Sequence, residues 1–252
     1  MILIKDVSLV LQGATILNNI DLELPKGGIT ALIGPNGAGK SSLFSLMARL
    51  QPLQSGSISI DGLPVNTTPG HELAKTLAIL RQDMAVTSRL TIRELIGFGR
   101  FPYNRGRLDA EDLHQIDRAL QRFDLHSLAH RYIDTLSGGQ RQRALVAMAF
   151  CQGTHYMLLD EPLNNLDMYY ARDLMRGLRE ISQSEAKTII IVLHDINHAA
   201  TYADRIVAMK DGMIVANGAP AQVLTPALLK SVYGYDMTVR KIDGLLTVLH
   251  HR

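Results

Sequence analysis

One octapeptide, Gly34-Pro35-Asn36-Gly37-Ala38-Gly39-Lys40-Ser41, constrains this chain more than any other stretch. It has the form G-x-x-x-x-G-K-S. An apolar run, Ile29 to Ile33, precedes it, and a helix-like run from Ser42 to Leu50 follows. Strand, glycine-rich turn and helix form the setting in which this pattern binds a nucleotide. Glycine lets the backbone wrap closely around a phosphate chain that a Cβ would strike. The N–H groups of the turn and of the helix's first turn then point at the anion. In that arrangement Lys40 reaches the β- and γ-phosphates and the Ser41 hydroxyl ligates Mg²⁺.

The rest of the chain reads as the frame for that loop. Its 252 residues, 46% apolar and 20% charged, are ordinary for a globular protein. A net charge of +2 without a Lys/Arg run gives no footprint for nucleic acid. A single cysteine, Cys151, excludes an intramolecular disulfide framework and reads as a small buried hydrophobe. No apolar run approaches the ~18 residues of a membrane-spanning helix. The first residues, Met1 to Asp6, lack a basic segment followed by a cleavage site. The expectation is a cytoplasmic protein that docks on a membrane protein if it meets a membrane at all.

Alternation at Val7-Ser8-Leu9, Ile20 to Leu24 and Ser57 to Ile60 predicts strands, and Thr76 to Leu80 predicts a short one. Thr91-Ile92-Arg93-Glu94 is a capping box. Asp109 can cap a second helix, with Leu113, Ile116, Leu120 and Phe123 at helical spacing, and Ser137 a third that runs to about Cys151. A buried strand, Tyr156 to Leu159, ends at Asp160-Glu161, and a helix from Met168 to Ile181 follows. Thr188 to Leu193 is continuously apolar, the mark of a strand covered on both faces, with His194 at its end. Strands over Arg205 to Met209 and Met213 to Ala216, then a helix from Pro226 to Tyr233, complete the frame. The predicted fold is an α/β phosphate-loop core with a mixed sheet, an antiparallel β subdomain and an inserted helical subdomain. The predicted division is one domain over 1–252: core over 1–89 and 152–225, helical subdomain over 90–151, and a C-terminal extension over 226–252.

Polar residues gather at the ends of these elements, where doubly wound folds build their sites. Asp160 suits the Mg²⁺ hydration shell, and Glu161, one residue on, suits a general base acting on a water. Leu136-Ser137-Gly138-Gly139-Gln140 places a serine cap and two glycines at a helix N-terminus, a second anion site.

These stretches, with Gln82, Asn165-Leu166-Asp167 and His194, resemble the nucleotide-binding subunits of ABC transporters, in the family's order and over residues 1 to about 225. The resemblance implies two copies packed head-to-tail. ATP then lies between Gly34 to Ser41, with Ser42, of one chain and Ser137, Gly138, Gly139 and Gln140 of the other. It implies that Glu161 is the catalytic base, that His194 contacts the γ-phosphate and that Gln82 senses Mg²⁺ and γ-phosphate beside a permease groove. Ser41, Gln82 and Asp160 are the implied Mg²⁺ ligands, and Asp167 crosses the dimer interface. The implied partners are membrane permease subunits, a second copy and, indirectly, a periplasmic or lipoprotein siderophore-binding protein, with the chain on the cytoplasmic face of the inner membrane.

Phe98 to Tyr103, Gly106-Arg107-Leu108, Glu111-Asp112, Pro162 to Met168 and His194 to Asn197 are similar to the iron–siderophore import ATPases, those for petrobactin, vibriobactin or anguibactin above all. Packing beneath the helical subdomain is the plainer reading of Phe98 to Tyr103. Cobalamin, haem or another metal chelate is the nearest alternative cargo. A non-transport ABC-type ATPase of iron–sulfur assembly or repair is a rival of another class, although the chain has one cassette and no long insertion. A phosphate-loop kinase or GTPase gives Leu136 to Gln140 nothing to do. Ser42 stands where the family usually has Thr and keeps the hydroxyl; nothing explains Leu163, where Thr is common. Leu11 stands where the family usually stacks an aromatic on adenine, which removes roughly 1 kcal/mol of stacking. Base selection is therefore expected to be tolerant: a GTPase rate below about one tenth of the ATPase rate would overturn this reading.

Overall fold

The computed structural model describes residues 1–82, 89–164 and 166–249. They divide into two compact units, Met1–Thr68 with Thr188–Arg252, and Pro69–Lys187.

The first unit opens with a long hairpin, β1 (Ile2–Leu11) and β2 (Ala14–Leu24). Then come β3 (Gly28–Ile33), the phosphate loop, helix α1 (Lys40–Met47), β4 (Ser57–Ile60) and β5 (Leu63–Pro64). The order β2-β1-β4-β5 makes an antiparallel sheet. Strand β1 buries Ile2, Ile4, Val7 and Leu9, while Leu3 and Ser8 between them are half-buried and Lys5 and Asp6 are exposed.

The second unit runs through α2 (Gly70–Thr76), β6 (Leu77–Leu80), α3 (Ile92–Gly97), α4 (Phe101–Asn104), α5 (Ala110–Arg122), α6 (Gly138–Cys151), β7 (Tyr156–Asp160) and α7 (Met168–Ser184). Strands β6 and β7 pair in parallel. Helices α3 and α5 pack on each other and on α6. A capping box starts α3 at Thr91, as the sequence predicts, and the expected caps Asp109 and Ser137 start α5 and α6, each completed to a box by Asp112 and Gln140. Helix α2 has no counterpart in the sequence reading, because it buries only Leu73 and so shows no apolar period. Of the residues at helical spacing, Leu113 is exposed, while Ile116 and Leu120, with Ala119, carry the buried face of α5.

The chain then returns to the first unit with β8 (Thr188–Val192), α8 (Ile196–Tyr202), β9 (Arg205–Lys210), β10 (Met213–Gly218), α9 (Pro220–Val223), α10 (Pro226–Tyr233), β11 (Thr238–Ile242) and β12 (Leu245–Leu249). Strand β3 lies between β8 and β9, parallel to both, and β10 adds antiparallel to β9. All of β8 is buried, as its continuous apolar run predicts. Strands β11 and β12 form a separate hairpin. Among the described residues no helix is long and apolar enough to cross a membrane.

One polar knot organises the helical part of the second unit. Arg100 and Asp112 are both buried, with Arg100 Nε 2.8 Å from Asp112 Oδ1. Arg100 also donates to the carbonyl of Cys151 at 3.1 Å and lies 4.1 Å over the Tyr103 ring. Asn104 Nδ2 donates to Asp112 Oδ2 at 2.6 Å. Burial pushes the Asp112 carboxyl up, but the bonds from Arg100, Asn104 and the Asp109 N–H, with the Arg100 charge, hold it below its ordinary value of 3.8. Burial pushes the Cys151 thiol up to about 12, which leaves it an inert core group. A depressed carboxyl stabilises the fold above its unfolded value and loses that contribution as pH falls through the lower folded value. Asp112→Ala strands a buried guanidinium and is expected to cost about 3 kcal/mol in urea unfolding at pH 7, with a smaller deficit at pH 3.

Candidate active site

The phosphate loop leaves β3 at Gly34, whose φ is +147°; a Cβ there would come within 2.2 Å of the Met209 carbonyl oxygen. Gly39 has φ +95°, and its Cβ would meet Leu17 Cδ2 at 2.7 Å and the Ile16 carbonyl at 3.1 Å. At both positions the chain's own packing demands glycine, whereas a Cβ on Gly37 would meet open space. The demand read from the motif alone was the approach of a phosphate; at Gly34 and Gly39 crowding by β9 and β2 is added to it. Lys40 is buried, and its Nζ donates to the carbonyls of Gly34 at 2.8 Å and Pro35 at 2.9 Å, bracing the turn. Pro35 and Ser42 are half-buried and Ala38 is buried, while Asn36, Gly37 and Ser41 face solvent. In the same unit His194 is exposed after β8, where Asp195 caps α8 by accepting from the Asn197 N–H at 2.7 Å.

In the second unit Asp160 closes the fully buried β7 and Glu161 follows it, each 8% exposed. Glu161 has φ 49°, the left-handed region, which costs a residue with a Cβ about 1 kcal/mol or more and persists where surroundings enforce it. Two amides do so: Gln82 Nε2 and Asn164 Nδ2 both donate to Glu161 Oε2, at 2.7 Å and 2.6 Å. The structure thus joins two residues singled out in the sequence, Gln82 and Glu161, and adds Asn164, which sequence reasoning missed. Asn164 closes a turn with Glu161, its N–H donating to the Glu161 carbonyl at 3.2 Å. Asn165 lies outside the described residues.

Ser137 caps α6: its Oγ accepts from the Gln140 N–H at 3.3 Å, and Gln140 Oε1 accepts from the Ser137 N–H at 3.2 Å. Gly138 is exposed, but Gly139 is buried, with a Cβ due at 3.3 Å from Tyr170. Its glycine therefore serves packing against α7. Asp167 is exposed and caps α7, accepting from the Tyr170 N–H at 3.0 Å.

Ser41 offers a hydroxyl and Asp160 a carboxylate, hard oxygen donors that suit Mg²⁺. No three His, Cys, Asp or Glu side chains converge among the described residues.

An amide donor on a buried carboxylate is worth about 1.5 kcal/mol, near tenfold in rate. With Glu161 as general base, Asn164→Ala is expected to lower kcat about tenfold and to leave KM for ATP unchanged in steady-state ATPase assays. An unchanged kcat would show that Gln82 suffices to hold Glu161.

The ABC transporter family model matches residues 17–164. A petrobactin import ATP-binding protein of Bacillus subtilis (strain 168) is 44% identical over 97% of this chain and 97% of its own. A second, from Bacillus anthracis, is 49% identical over 85% of this chain and 86% of its own. Among solved structures, the dimeric ATP-binding cassette MJ0796, bound to ADP and phosphate after hydrolysis, matches with a TM-score of 0.77 at 27% identity, covering 87% of this chain and 99% of that one. A phosphate loop on β3, a carboxylate pair closing β7, a serine-capped helix α6 and kinship over nearly the whole length converge: the chain belongs to the ABC transporter family, as one of its ATP-hydrolysing ATP-binding cassettes.

Proposed function

We propose that this cassette powers import of a ferric siderophore through a partner permease. The observation that carries the reading is the 44–49% identity to petrobactin import ATP-binding proteins over most of the chain. A ferric enterobactin transport ATP-binding protein of Escherichia coli (strain K12), 39% identical over 87% of this chain, supports the class more than any one ligand.

ATP occupies the phosphate loop of one copy and meets Ser137 to Gln140 of a second copy packed head-to-tail. Lys40 exchanges its loop carbonyls for phosphate oxygens. Ser41, Asp160 and Gln82 would hold Mg²⁺, which would supply positive charge against the charge that develops on the phosphate. A water attacks the γ-phosphorus and Glu161 takes its proton. The bond from γ-phosphorus to the bridging oxygen breaks, and the electron pair leaves with ADP. His194 contacts the γ-phosphate, and Asp167 lies across the interface. Closure on ATP and release after hydrolysis drive the permease, since a ligand that binds one state better shifts the population toward it. The cargo never touches this subunit, which works on the cytoplasmic face of the inner membrane; a siderophore-binding protein acts on the other side.

The test is radiolabelled iron uptake in cells lacking this chain, complemented with wild type or Lys40→Ala and offered ferric siderophores, free iron or cobalamin. Uptake of one siderophore group is expected to return with wild type alone, because losing the Lys40 charge costs nucleotide binding about 1.5–3 kcal/mol. Restoration of cobalamin uptake alone would overturn the siderophore reading and leave the importer; no restoration of any cargo would overturn both.

A further inference from the structure

Arg143 is a buried charge that the nucleotide chemistry leaves unused. It sits in α6, 8% exposed, and its Nε has no hydrogen-bond partner among the described residues. Its ion pair is long and lies at the surface: Nη1 stands 3.8 Å from Asp124 Oδ2, and the Asp124 side chain is 96% exposed. A pair of that kind contributes little. Burying a guanidinium is costly unless something offsets it. The offsetting contact is the Tyr170 ring of α7, whose centroid lies 5.2 Å from the Arg143 guanidinium carbon.

Gly139 meets the same ring. Residues 139 and 143 stand one helical turn apart and share a face of α6. A Cβ on Gly139 would lie 3.3 Å from Tyr170 Cδ2 and 3.5 Å from Leu166 Cδ2. Gly139 belongs to the first turn of α6, between the two members of its capping box, Ser137 and Gln140. Tyr170 is bound in turn to the segment that precedes its own helix. Its N–H donates to Asp167 Oδ1 at 3.0 Å, and Leu166, the residue before Asp167, donates its N–H to the Leu163 carbonyl at 3.2 Å. One half-buried aromatic ring thus joins the N-terminus of α6 to the turn at Asp167.

We propose that Arg143 and Tyr170 are positioning residues for closure of the dimer, their contact fixing the register between the N-terminus of α6 and the turn at Asp167. This role rests on the function proposed above, in which Ser137 to Gln140 meet ATP held by the second copy and Asp167 lies across the interface. Two segments held in register meet the second copy together. Two loose segments would have to be ordered as the dimer closes, at a cost in affinity. Arg143 is buried, so it acts through the helix that carries it and not by touching nucleotide. The phosphate loop takes no part in the contact and keeps its own grip on nucleotide.

The test measures ATP-driven dimerisation in a Glu161→Gln background, which removes the proposed base so that hydrolysis does not reopen the dimer. Full-length chains carrying Tyr170→Phe, Tyr170→Leu, Arg143→Met, or the last two together are titrated with MgATP and followed by light scattering. Affinity for MgADP and melting temperature are measured on the same chains. Tyr170→Phe keeps the ring and is expected to dimerise as the parent does. Tyr170→Leu and Arg143→Met are each expected to raise the MgATP concentration for half-maximal dimerisation about fivefold, the weight of one cation–π contact, with MgADP affinity unchanged. The double variant is expected to match the single ones, because both substitutions remove the same contact. Losses that multiply in the double variant, losses repeated in MgADP affinity, changes that follow only the melting temperature, or parental dimerisation in every variant would overturn the role. Gly138→Glu examines the reading beneath it, by setting a carboxylate at the exposed start of α6, and is expected to abolish dimerisation. Dimerisation of Gly138→Glu at the parental MgATP concentration, or a parent that stays monomeric at saturating MgATP, would overturn that reading instead.

Discussion

Gly34 meets the Met209 carbonyl at a distance no other residue tolerates, and the geometry of the first unit follows from that contact. It fixes where β3 ends relative to β9. Strand β3 is itself pinned in register between β8 and β9, Ala31 standing opposite Ile191 on one side and Ile206 on the other. The loop must therefore turn at one place, and α1 starts where Gly39 can pass under the β2 backbone. Because β8 runs parallel to β3, its C-terminal end lies at the same end of the sheet and releases His194 there. Phosphate loop and histidine share an edge because parallel pairing leaves them no other.

The second unit uses a different device. Glu161 stands at the end of a strand buried along its whole length, in a backbone region that side chains avoid. Two neutral amides, of Gln82 and Asn164, hold one of its carboxylate oxygens. Strain and amide grip together hold the Glu161 carboxylate in one place, the positioning that the general-base role proposed for it would need.

Much of this was legible in advance because it is local. The caps at Thr91, Asp109 and Ser137 are short signals, and each starts a helix where it stands. The apolar run of β8 and the phosphate loop are equally self-contained. What escaped depends on partners far away in the chain or on elements with little apolar surface. Asn197 bonds a residue 51 positions away, and an asparagine in a helix's first turn gives no sign of it. Asn164 reads as turn chemistry, which it also is; its grip on Glu161 needs the left-handed backbone that no pattern announces. Gly139 matched the expected motif for a reason the motif does not state, contact with Tyr170.

The stretch from Phe98 to Tyr103 shows how burial sorts neighbours that a sequence treats alike. Packing beneath the helical subdomain was the plain expectation for its aromatics, yet Phe98 and Phe101 are more than half exposed and Arg100 takes the interior. Burying a guanidinium is costly, and Asp112, the Cys151 carbonyl and the Tyr103 ring offset that cost. Inverting the usual order of apolar and charged groups turns Phe98 and Phe101 outward, where they line an apolar groove of about 330 Å³ with Leu90, Gly97 and Leu108. Exposed apolar surface of this kind is what burial of Arg100 in place of its aromatic neighbours leaves behind, and such surface is where soluble domains meet partners or ligands.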